Sequence, residues 1–224
     1  LAYFKQLVEN TSGVKRTRDL AKTLLLIPCS GGKKGVSPPT LPVRKITDYL
    51  SLSTTTVLNT GRTLAFEKTY LDKNSALRPA IGWYTGQPYS TVGFRELLIQ
   101  ALRDGLHCLI ISGGYGLLRP EEPIHNYQSP LFETFSIWQR RLPLILKEYV
   151  SRAGIRRIFG SFSASHYARV VPNRLAKEDF RAVPRFERGR DDGNPRRVVP
   201  EKIGEILTSL MRNDFVPGNE WTVR

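Results

Sequence analysis

The stretch LIISGGYGLLRPEEPIHNY, residues 109–127, begins as an apolar run and ends in a cluster of polar and aromatic side chains. Either glutamate can supply the carboxylate that stabilises an oxocarbenium-like sugar or directs a water molecule. The arginine or the histidine can bind phosphate or a leaving group, and a tyrosine can line a pocket for a flipped nucleotide. This combination predicts cleavage of an N-glycosidic bond. The candidate catalytic residues are Glu122, Glu121, Arg119, Tyr115 and His125.

The same stretch has a simpler interpretation, a surface turn with a salt bridge between Arg119 and a glutamate. Its position at the end of a predicted central strand favours a functional cluster, because ligands of open α/β sheets collect outside the carboxyl ends of the strands. The glycines of SGGYG predict unusual backbone angles or the close approach of a ligand. Carboxylates would repel the phosphates of bound DNA, so their presence favours chemistry over binding alone.

Two other predicted strands also end in polar residues. CSGGKKG, residues 29–35, follows the first strand; its glycines let backbone N–H groups converge on an anion, and its lysines add positive charge. A flexible solvent loop is the alternative, and the Walker A spacing is absent. GSFSASHYARVV, residues 160–171, follows the fourth strand and places serines at a predicted helix start. A Ser-His-Asp triad there lacks the G-x-S-x-G elbow.

Aromatic residues flank these segments, and aromatic faces can hold an unstacked base. Tyr89 and Tyr127 lie beside polar residues, whereas Trp83 and Tyr84 suit a hydrophobic core equally well. The candidate substrate-binding residues are Ser30, Gly31, Lys33, Lys34, Gly86, Tyr89, Ser112, Gly113, Gly114, Tyr127, Ser163, Ser165 and Tyr167.

The histidines and cysteines show no metal-ligand spacing, so the sequence predicts no metal site, and it predicts no organic cofactor. Cys29 stands at a strand end, where a buried structural thiol is favoured over a nucleophile. Two cysteines in a chain of 224 residues indicate reduced thiols and no disulfide framework. No apolar run approaches the roughly 20 residues that span a bilayer, and no signal peptide is visible. These features predict a cytoplasmic protein without a membrane partner.

Apolar runs and glycine or proline breaks predict the elements that position these side chains. Strands are predicted at 23–30, 78–86, 107–112 and 156–162. Helices are predicted at 92–105, 132–154 with a kink or break at Pro143, 163–171 and 201–211, with two more within 43–76 and a helical extension at 1–22. Strands that alternate with helices predict a mixed, mostly parallel α/β sheet flanked by helices. The expected arrangement is a single domain over 1–224 with a basic cleft at the strand carboxyl ends.

The chain is strongly basic, with 34 Lys+Arg against 20 Asp+Glu and a formal net charge of +14. Residues 152–197 hold twelve basic residues, eleven of them arginine, against five acidic ones. Because the planar guanidinium fork suits phosphate, this charge favours a nucleic-acid partner, above all double-stranded DNA, over a protein that merely happens to be basic. An arginine-rich loop predicted at 181–200 supplies the candidate phosphate-binding residues Arg181, Arg185, Arg188, Arg190, Arg196 and Arg197.

Four stretches, taken in order, resemble the peroxide-stress YaaA family. The most specific is residues 109–127, since the family shows S-G-x-Y-G-L-L-R-P followed by an acidic residue and a tyrosine. LLLIPCSGGKK resembles the family's amino-terminal strand ending in S-x-x-K, here Ser30 and Lys33. RPAIGWYTGQPY resembles the segment that closes with an aromatic, a glycine and a tyrosine, and IFGSFSASHYARVV resembles a later strand ending in A-S-x-x-Y.

This resemblance implies a mixed α/β fold with a positively charged cleft and DNA binding through a helix-hairpin-helix-like element. It also implies kinship with enzymes that act on modified nucleobases. The segment FERGRDDGNPRR and the amino-terminal helix depart from the family pattern, so the resemblance fixes no single reaction.

Residues and resemblance together predict a DNA-binding enzyme that acts on a modified nucleobase. The expected activity is that of a DNA glycosylase, which cleaves the N-glycosidic bond after base flipping. One alternative is a non-catalytic protein of a stress response that binds double-stranded DNA. The other is a tRNA or DNA base transglycosylase, which would use most of the same residues.

Overall fold

The computed structural model describes residues 20–35, 41–160, 162–163, 166–171, 185–186 and 195–212. Only the backbone is described for residues 163, 168, 185, 186 and 195–202. Most of the predicted amino-terminal helical extension, residues 1–19, lies outside the described chain.

A four-stranded sheet lies at the centre of the described chain, in the order β5–β4–β1–β8. Strand β1 (Thr23–Pro28) pairs in parallel with β4 (His107–Ser112) and with β8 (Arg157–Gly160). Strand β5 (Gly116–Leu118) turns back and pairs antiparallel with β4. This mixed, mostly parallel sheet with flanking helices confirms the predicted fold class.

Helices pack on both faces of the sheet, and short two-stranded pairs lie outside it. The helices are α1 (Leu52–Lys68), α2 (Ala80–Trp83), α3 (Phe94–Arg103), α4 (Leu131–Trp138), α5 (Arg141–Arg152), α6 (His166–Arg169) and α7 (Pro195–Arg212), with a 3-10 helix at Ile46–Tyr49. The paired strands are β2 (Tyr70–Asp72) with β7 (Asn126–Gln128), β3 (Arg78–Pro79) with β6 (Pro123–Ile124), and β9 (Phe162–Ser163) with β10 (Arg185–Phe186). Among the described helices, none combines the length and the apolar character that crossing a membrane would require.

The residues of β1 enter two hydrophobic cores, one on each face of the sheet. Leu25 and Ile27 pack with residues of α3 and α7, whereas Leu24 and Leu26 pack with residues of α1, α4 and α5. Because neighbouring residues of a strand point to opposite faces, a strand covered on both faces must be apolar throughout. This requirement explains the continuous run of leucines and isoleucine that made β1 recognisable.

The strand predicted at residues 78–86 is wrong over most of its length. Only its first two residues form β3, α2 occupies Ala80–Trp83, and residues 84–86 lie in neither a named strand nor a helix. The N–H groups of Ala80 and Ile81 donate to the carbonyls of Glu122 and Pro120. Partners about 40 residues away in the chain therefore set the backbone here, and local propensity does not reveal them.

The helix predicted at 132–154 is interrupted, but the break precedes the expected position at Pro143. Two residues, Gln139 and Arg140, separate α4 from α5. Pro143 is the third residue of α5, where a backbone N–H has no partner within the helix in any case. The proline therefore sits in the first turn without disrupting the helix.

Candidate functional site

Two loops meet at the carboxyl end of β1 and are held together by hydrogen bonds. The Ser30 hydroxyl accepts from the N–H of Gly86 at 2.8 Å and from that of Gly32 at 3.2 Å. The N–H of Thr85 donates to the Gly32 carbonyl at 2.8 Å. A Cβ at Gly86 would lie 2.3 Å from the Ser30 oxygen, so this contact requires glycine. The sequence-predicted residues Ser30 and Gly86 thus come together as the frame of the strand-end site.

Lys33 lies at the centre of this strand-end site. Its backbone forms an antiparallel bridge with Tyr84, and its Nζ lies 4.2 Å from the centre of the Tyr127 ring and 5.7 Å from that of Tyr84. Burial lowers the pKa of Lys33 from its ordinary value, while Cys29 acts in the opposite direction. Within the described chain, Lys33 forms no ion pair with a carboxylate. The neighbouring Lys34 is exposed.

Two buried tyrosines, Tyr84 and Tyr127, lie under Lys33, and a third, Tyr89, packs against Tyr84. The Tyr127 hydroxyl lies 2.7 Å from the hydroxyls of both Tyr84 and Ser112, and Tyr89 donates to the Pro28 carbonyl at 2.9 Å. Burial raises the pKa of all three phenols well above the ordinary value, so they remain protonated at neutral pH. The rings expose 3% of their surface or less, so the stacking role predicted for Tyr89 and Tyr127 has no open face to use.

Cys29 and Tyr167 complete the strand-end site. The Cys29 Sγ lies 3.3 Å from the Tyr167 hydroxyl. The Tyr167 ring lies parallel to that of Phe162, with 6.4 Å between ring centres. Tyr167 and Cys29 both remain partly exposed. Helix α6 therefore brings Tyr167 to the site, as the sequence predicts, and Tyr167 is an aromatic ring there that solvent can reach.

Tyr115 and His125 border the site and are occupied by structural contacts. The Tyr115 hydroxyl accepts from the His125 N–H at 3.0 Å, and its ring meets the Tyr127 ring edge-on with 5.1 Å between centres. His125 Nδ1 lies 2.8 Å from the Ser75 carbonyl, so this nitrogen carries the proton. Both predicted catalytic side chains thus position the chain at the edge of the site.

Glu122 is buried and links three elements. Its Oε1 accepts from Arg62 of α1 at 2.9 Å, and its Oε2 accepts from the N–H of Ile46 at 3.2 Å and of Arg119 at 3.4 Å. Arg62 also donates to two backbone carbonyls, one preceding β5 and one within it. Both carboxylate oxygens therefore have partners supplied by the fold.

Arg119 and Glu121 form a second buried ion pair, with 2.8 Å between Nη2 and Oε1. Arg119 Nη1 donates to the Tyr149 hydroxyl at 2.7 Å, and this hydroxyl lies 2.8 Å from His107 Nδ1. Burial, reinforced by the charges of Arg119 and Arg44, lowers the pKa of His107 to about 4. The salt bridge considered for the sequence thus forms, but in the interior and not in a surface turn.

The Arg119–Glu121 pair lies away from the carboxyl end of β4, the position that the sequence predicts for it. The Arg62–Glu122 pair lies next to that end, because Arg62 also donates to the Tyr115 carbonyl in the turn after β4. Gly116 pairs with Ser112, the last residue of β4, and the following residues of β5 pair progressively further back. The chain therefore carries Arg119 towards His107, the first residue of β4. The structure thus brings Ser30, Gly86, Lys33 and Tyr127 together and separates Glu121 and Arg119 from them.

The glycines of SGGYG make room for the protein itself. A Cβ at Gly113 would lie 2.1 Å from the Ser129 carbonyl oxygen, and one at Gly114 would lie 2.6 Å from the Phe66 ring. Gly116 has a φ of 72°, which favours glycine. An unusual backbone angle is therefore found, and the close approach is made by the chain and not by a ligand.

Several predicted site residues lie partly or wholly beyond the described chain. Only the backbone is described for Ser163, Arg185, Arg196 and Arg197, and Ser165, Arg181, Arg188 and Arg190 lie outside the described residues. Their roles in substrate or phosphate binding stay predictions. Gly31 is described and lies exposed beside Lys33, with open space around its backbone. The described residues contain no group of three or more His, Cys, Asp or Glu side chains that could hold a metal ion.

Sequence reasoning missed the partners that determine what these side chains do. A buried carboxylate such as Glu122 requires a cation, but the chain offers 34 lysines and arginines, and nothing local selects Arg62. Tyr149 follows Ile145 and Leu146 on the apolar face of α5, so periodicity predicts a core position. A buried tyrosine needs a hydrogen-bond partner for its hydroxyl, so the predicted burial of Tyr149 was the one local indication that it contacts a polar side chain.

The comparisons with known proteins concern most of this chain. A sequence model of the family described as peroxide stress protein YaaA matches residues 39–200. The chain belongs to the peroxide stress protein YaaA family. A UPF0246 protein of Methylibium petroleiphilum is 30% identical over 155 residues, which cover 64% of this chain and 54% of that protein. The chain thus spans about half the length of that relative. No solved structure gives a significant match.

The match confirms the YaaA family predicted from the sequence. It includes the stretch at 109–127 and the segments that contain Tyr89 and Tyr167. It begins after Lys33, so the resemblance of Ser30 and Lys33 to the family's S-x-x-K pattern lies outside the matched residues.

Proposed function

We propose that this YaaA-family protein binds DNA and releases a modified base by cleaving its N-glycosidic bond. The observation that carries the proposal is the position of Lys33, a half-buried lysine over the Tyr127 ring at the carboxyl end of β1. Ligands of open α/β sheets collect at this edge. Glu121 and Glu122 are both held in ion pairs with arginines. In this proposal Lys33, and not a glutamate, is therefore the side chain that reacts with the bound nucleotide.

The surroundings of Lys33 suit a nucleotide that enters from the solvent. Exposed backbone at Gly31 permits close approach of a phosphate, since a Cβ placed there would meet no atom within 4 Å. Tyr167 is partly exposed and its hydroxyl lies 3.3 Å from the Cys29 Sγ of the same site. The buried phenols below keep water from the underside of the amine. The site therefore combines exposed residues at its edge, where a nucleotide can enter, with buried residues beneath the amine that exclude water. An enzyme that recognises and releases a base requires both.

The charge of the whole chain supports DNA as the partner. A formal net charge of +14 attracts polyanions, and a glycosylase must hold the backbone on both sides of a flipped nucleotide. Chemistry on the base requires no group beyond the side chains at the site, since hydrolysis of an N-glycosidic bond needs only activation of the base or the sugar.

The test measures bases released from genomic DNAs that carry different modifications, by mass spectrometry, with wild type, Lys33→Gln and Lys147→Gln. Lys147 is the matched control, because the substitution removes the same charge from an exposed lysine of α5. We expect Lys33→Gln to lower release by about 100-fold or more and Lys147→Gln to have little effect. If no DNA loses a base, or if both variants act like wild type, the proposal is wrong.

A second candidate function is non-catalytic binding of double-stranded DNA. It is favoured by the two buried ion pairs, because arginines neutralise the carboxylates of the 109–127 stretch and nothing repels phosphate there. In this case Lys33 would contact phosphate. Lys33→Gln would then weaken binding of every DNA sequence to a similar extent and reduce the salt slope by about one, and no base would be released.

A further inference from the structure

We propose that the Lys33 amine attacks the C1′ aldehyde of a ring-opened abasic deoxyribose in DNA and forms an imine with it. This inference rests on the proposed function, because base release leaves such a sugar in the site. It adds a covalent step and a second substrate class, DNA that already lacks a base. An amine held in an apolar setting is the side chain that forms imines with carbonyl compounds.

Lys33 differs from the other lysines whose side chains are described. Those are exposed, namely Lys22, Lys34, Lys45, Lys68, Lys73 and Lys147. Lys33 is half-buried, and its backbone is fixed by the bridge to Tyr84. The loop that carries it is held at Ser30 by two hydrogen bonds. The amine is therefore positioned in advance, which lowers the entropic cost of attack on a bound sugar.

The groups around Lys33 favour the neutral amine that an attack requires. Burial lowers the pKa of Lys33, and burial keeps the Tyr84 and Tyr127 phenols protonated and uncharged. No carboxylate of the described chain pairs with the amine to hold its proton. Cys29 acts against the shift when it is ionised. A lysine with a neighbouring carboxylate would instead stay charged and serve as a phosphate contact.

The proposed step balances without an oxidant, a reductant or a metal. The amine lone pair forms a bond to C1′, and the carbonyl π bond breaks. The carbonyl oxygen then leaves as water with both protons of the amine, which gives a C=N bond between Lys33 and the sugar. Borohydride reduces this imine, with hydride adding to carbon and a solvent proton to nitrogen, and so converts it to a stable secondary amine.

The test incubates the full chain with sodium borohydride and a duplex that contains one abasic site. We expect wild type to form a covalent adduct that peptide mass spectrometry locates at Lys33. Lys33→Gln should lower the adduct to below about a tenth, while Lys147→Gln, which changes an exposed lysine of α5, should retain it. Lys33→Arg keeps the charge but cannot form the imine, so it should also fail. Unfolding midpoints in urea establish that each variant is folded.

The absence of an adduct with wild type, an equal adduct with Lys33→Gln, or an adduct at Lys34 would overturn the inference. A parallel reaction with 2-deoxyribose 5-phosphate separates the two sources of the aldehyde. Trapping of this free sugar but not of the duplex would overturn the assignment to DNA. Base release without trapping would overturn only this inference. Trapping on the abasic duplex without base release from any DNA would overturn only the proposed function.

Discussion

Glu122 has both carboxylate oxygens occupied by the fold, with Arg62 on one side and two backbone N–H groups on the other. Its residue exposure of 4% leaves no room for a substrate to compete with these partners. A general base must reach the proton that it abstracts and must exchange partners during the reaction. The contacts therefore favour a role of Glu122 in stability. Glu121 is equally buried and its Oε1 pairs with Arg119, but its Oε2 has no hydrogen-bond partner among the described residues.

Replacing Glu122 by Gln should lower the free energy of unfolding by about 3 kcal/mol, because the change leaves the Arg62 charge without its counter-ion in a mostly buried position. Urea unfolding at pH 7 measures the loss. Glu67→Gln is the matched control, since Glu67 is exposed on α1, the helix that carries Arg62. The free energy of unfolding of this variant should stay within about 0.5 kcal/mol of that of wild type. A Glu122→Gln variant that is fully stable yet inactive in base release would return this residue to a catalytic role.

At the scale of elements, the three residues of β5 decide where the polar cluster lies. The apolar runs locate β1, β4 and β8, because strands that are buried on both faces have no other composition available. The glycines after Ser112 predict a turn. A turn alone does not reveal whether the next residues continue away from β4 or reverse and pair antiparallel with it. Gly116, with its φ of 72°, starts the backward course, and that pairing depends on contacts with distant residues.

The loops of the strand-end site illustrate the same limit. Their residue types mark Ser30, Lys33 and Gly86 as candidates, and the structure places these residues together. Which tyrosines lie open and which lie buried is decided by hydrogen bonds between residues far apart in the chain. The sequence therefore predicts which loops meet at the strand-end site but misplaces Arg119 and Glu121, because β5 carries these two residues back along β4.

The buried network at the start of β4 should make stability depend on pH. The pKa of His107 is lowered to about 4 in the folded protein, against about 6.5 in an unfolded chain. Between these values the unfolded chain binds a proton that the folded protein does not, so the free energy of unfolding rises with pH across this window and levels off above it. Stability should therefore fall as the pH is lowered from 7 to 5.

Urea unfolding at pH 5, 6 and 7 tests this expectation with wild type and His107→Asn. Asparagine places an amide near the position of Nδ1, which can still bond to the Tyr149 hydroxyl, and it does not titrate. The decrease between pH 7 and pH 5 should be smaller in the variant. Identical pH dependence in the two proteins would mean that His107 is not the titrating group.

At the scale of the whole molecule, the proposed partner follows from the charge and the proposed chemistry follows from the strand-end site. A formal net charge of +14 acts over distances of about 10 Å at moderate salt, so we expect attraction of nucleic acid before any specific contact forms. Lys33 lies within this field but differs from the other described lysines in its burial. Affinity for DNA and reaction on DNA are therefore separable parts of the proposed function, and we expect that each can be lost without the other.

Binding to DNA should weaken steeply with salt, because each phosphate neutralised by the protein releases condensed counterions. The logarithm of the association constant for a duplex should fall linearly with the logarithm of the salt concentration, with a slope of about −0.9 for each phosphate contacted. Fluorescence anisotropy with labelled duplex, single-stranded DNA and tRNA at several salt concentrations measures the slopes. Stronger competition by tRNA than by duplex would favour an RNA substrate, and a slope near zero would show that the charge does not serve nucleic-acid binding.

Lys33→Gln should leave the duplex slope nearly unchanged if Lys33 reacts with the sugar, and should reduce it by about one if Lys33 holds a phosphate.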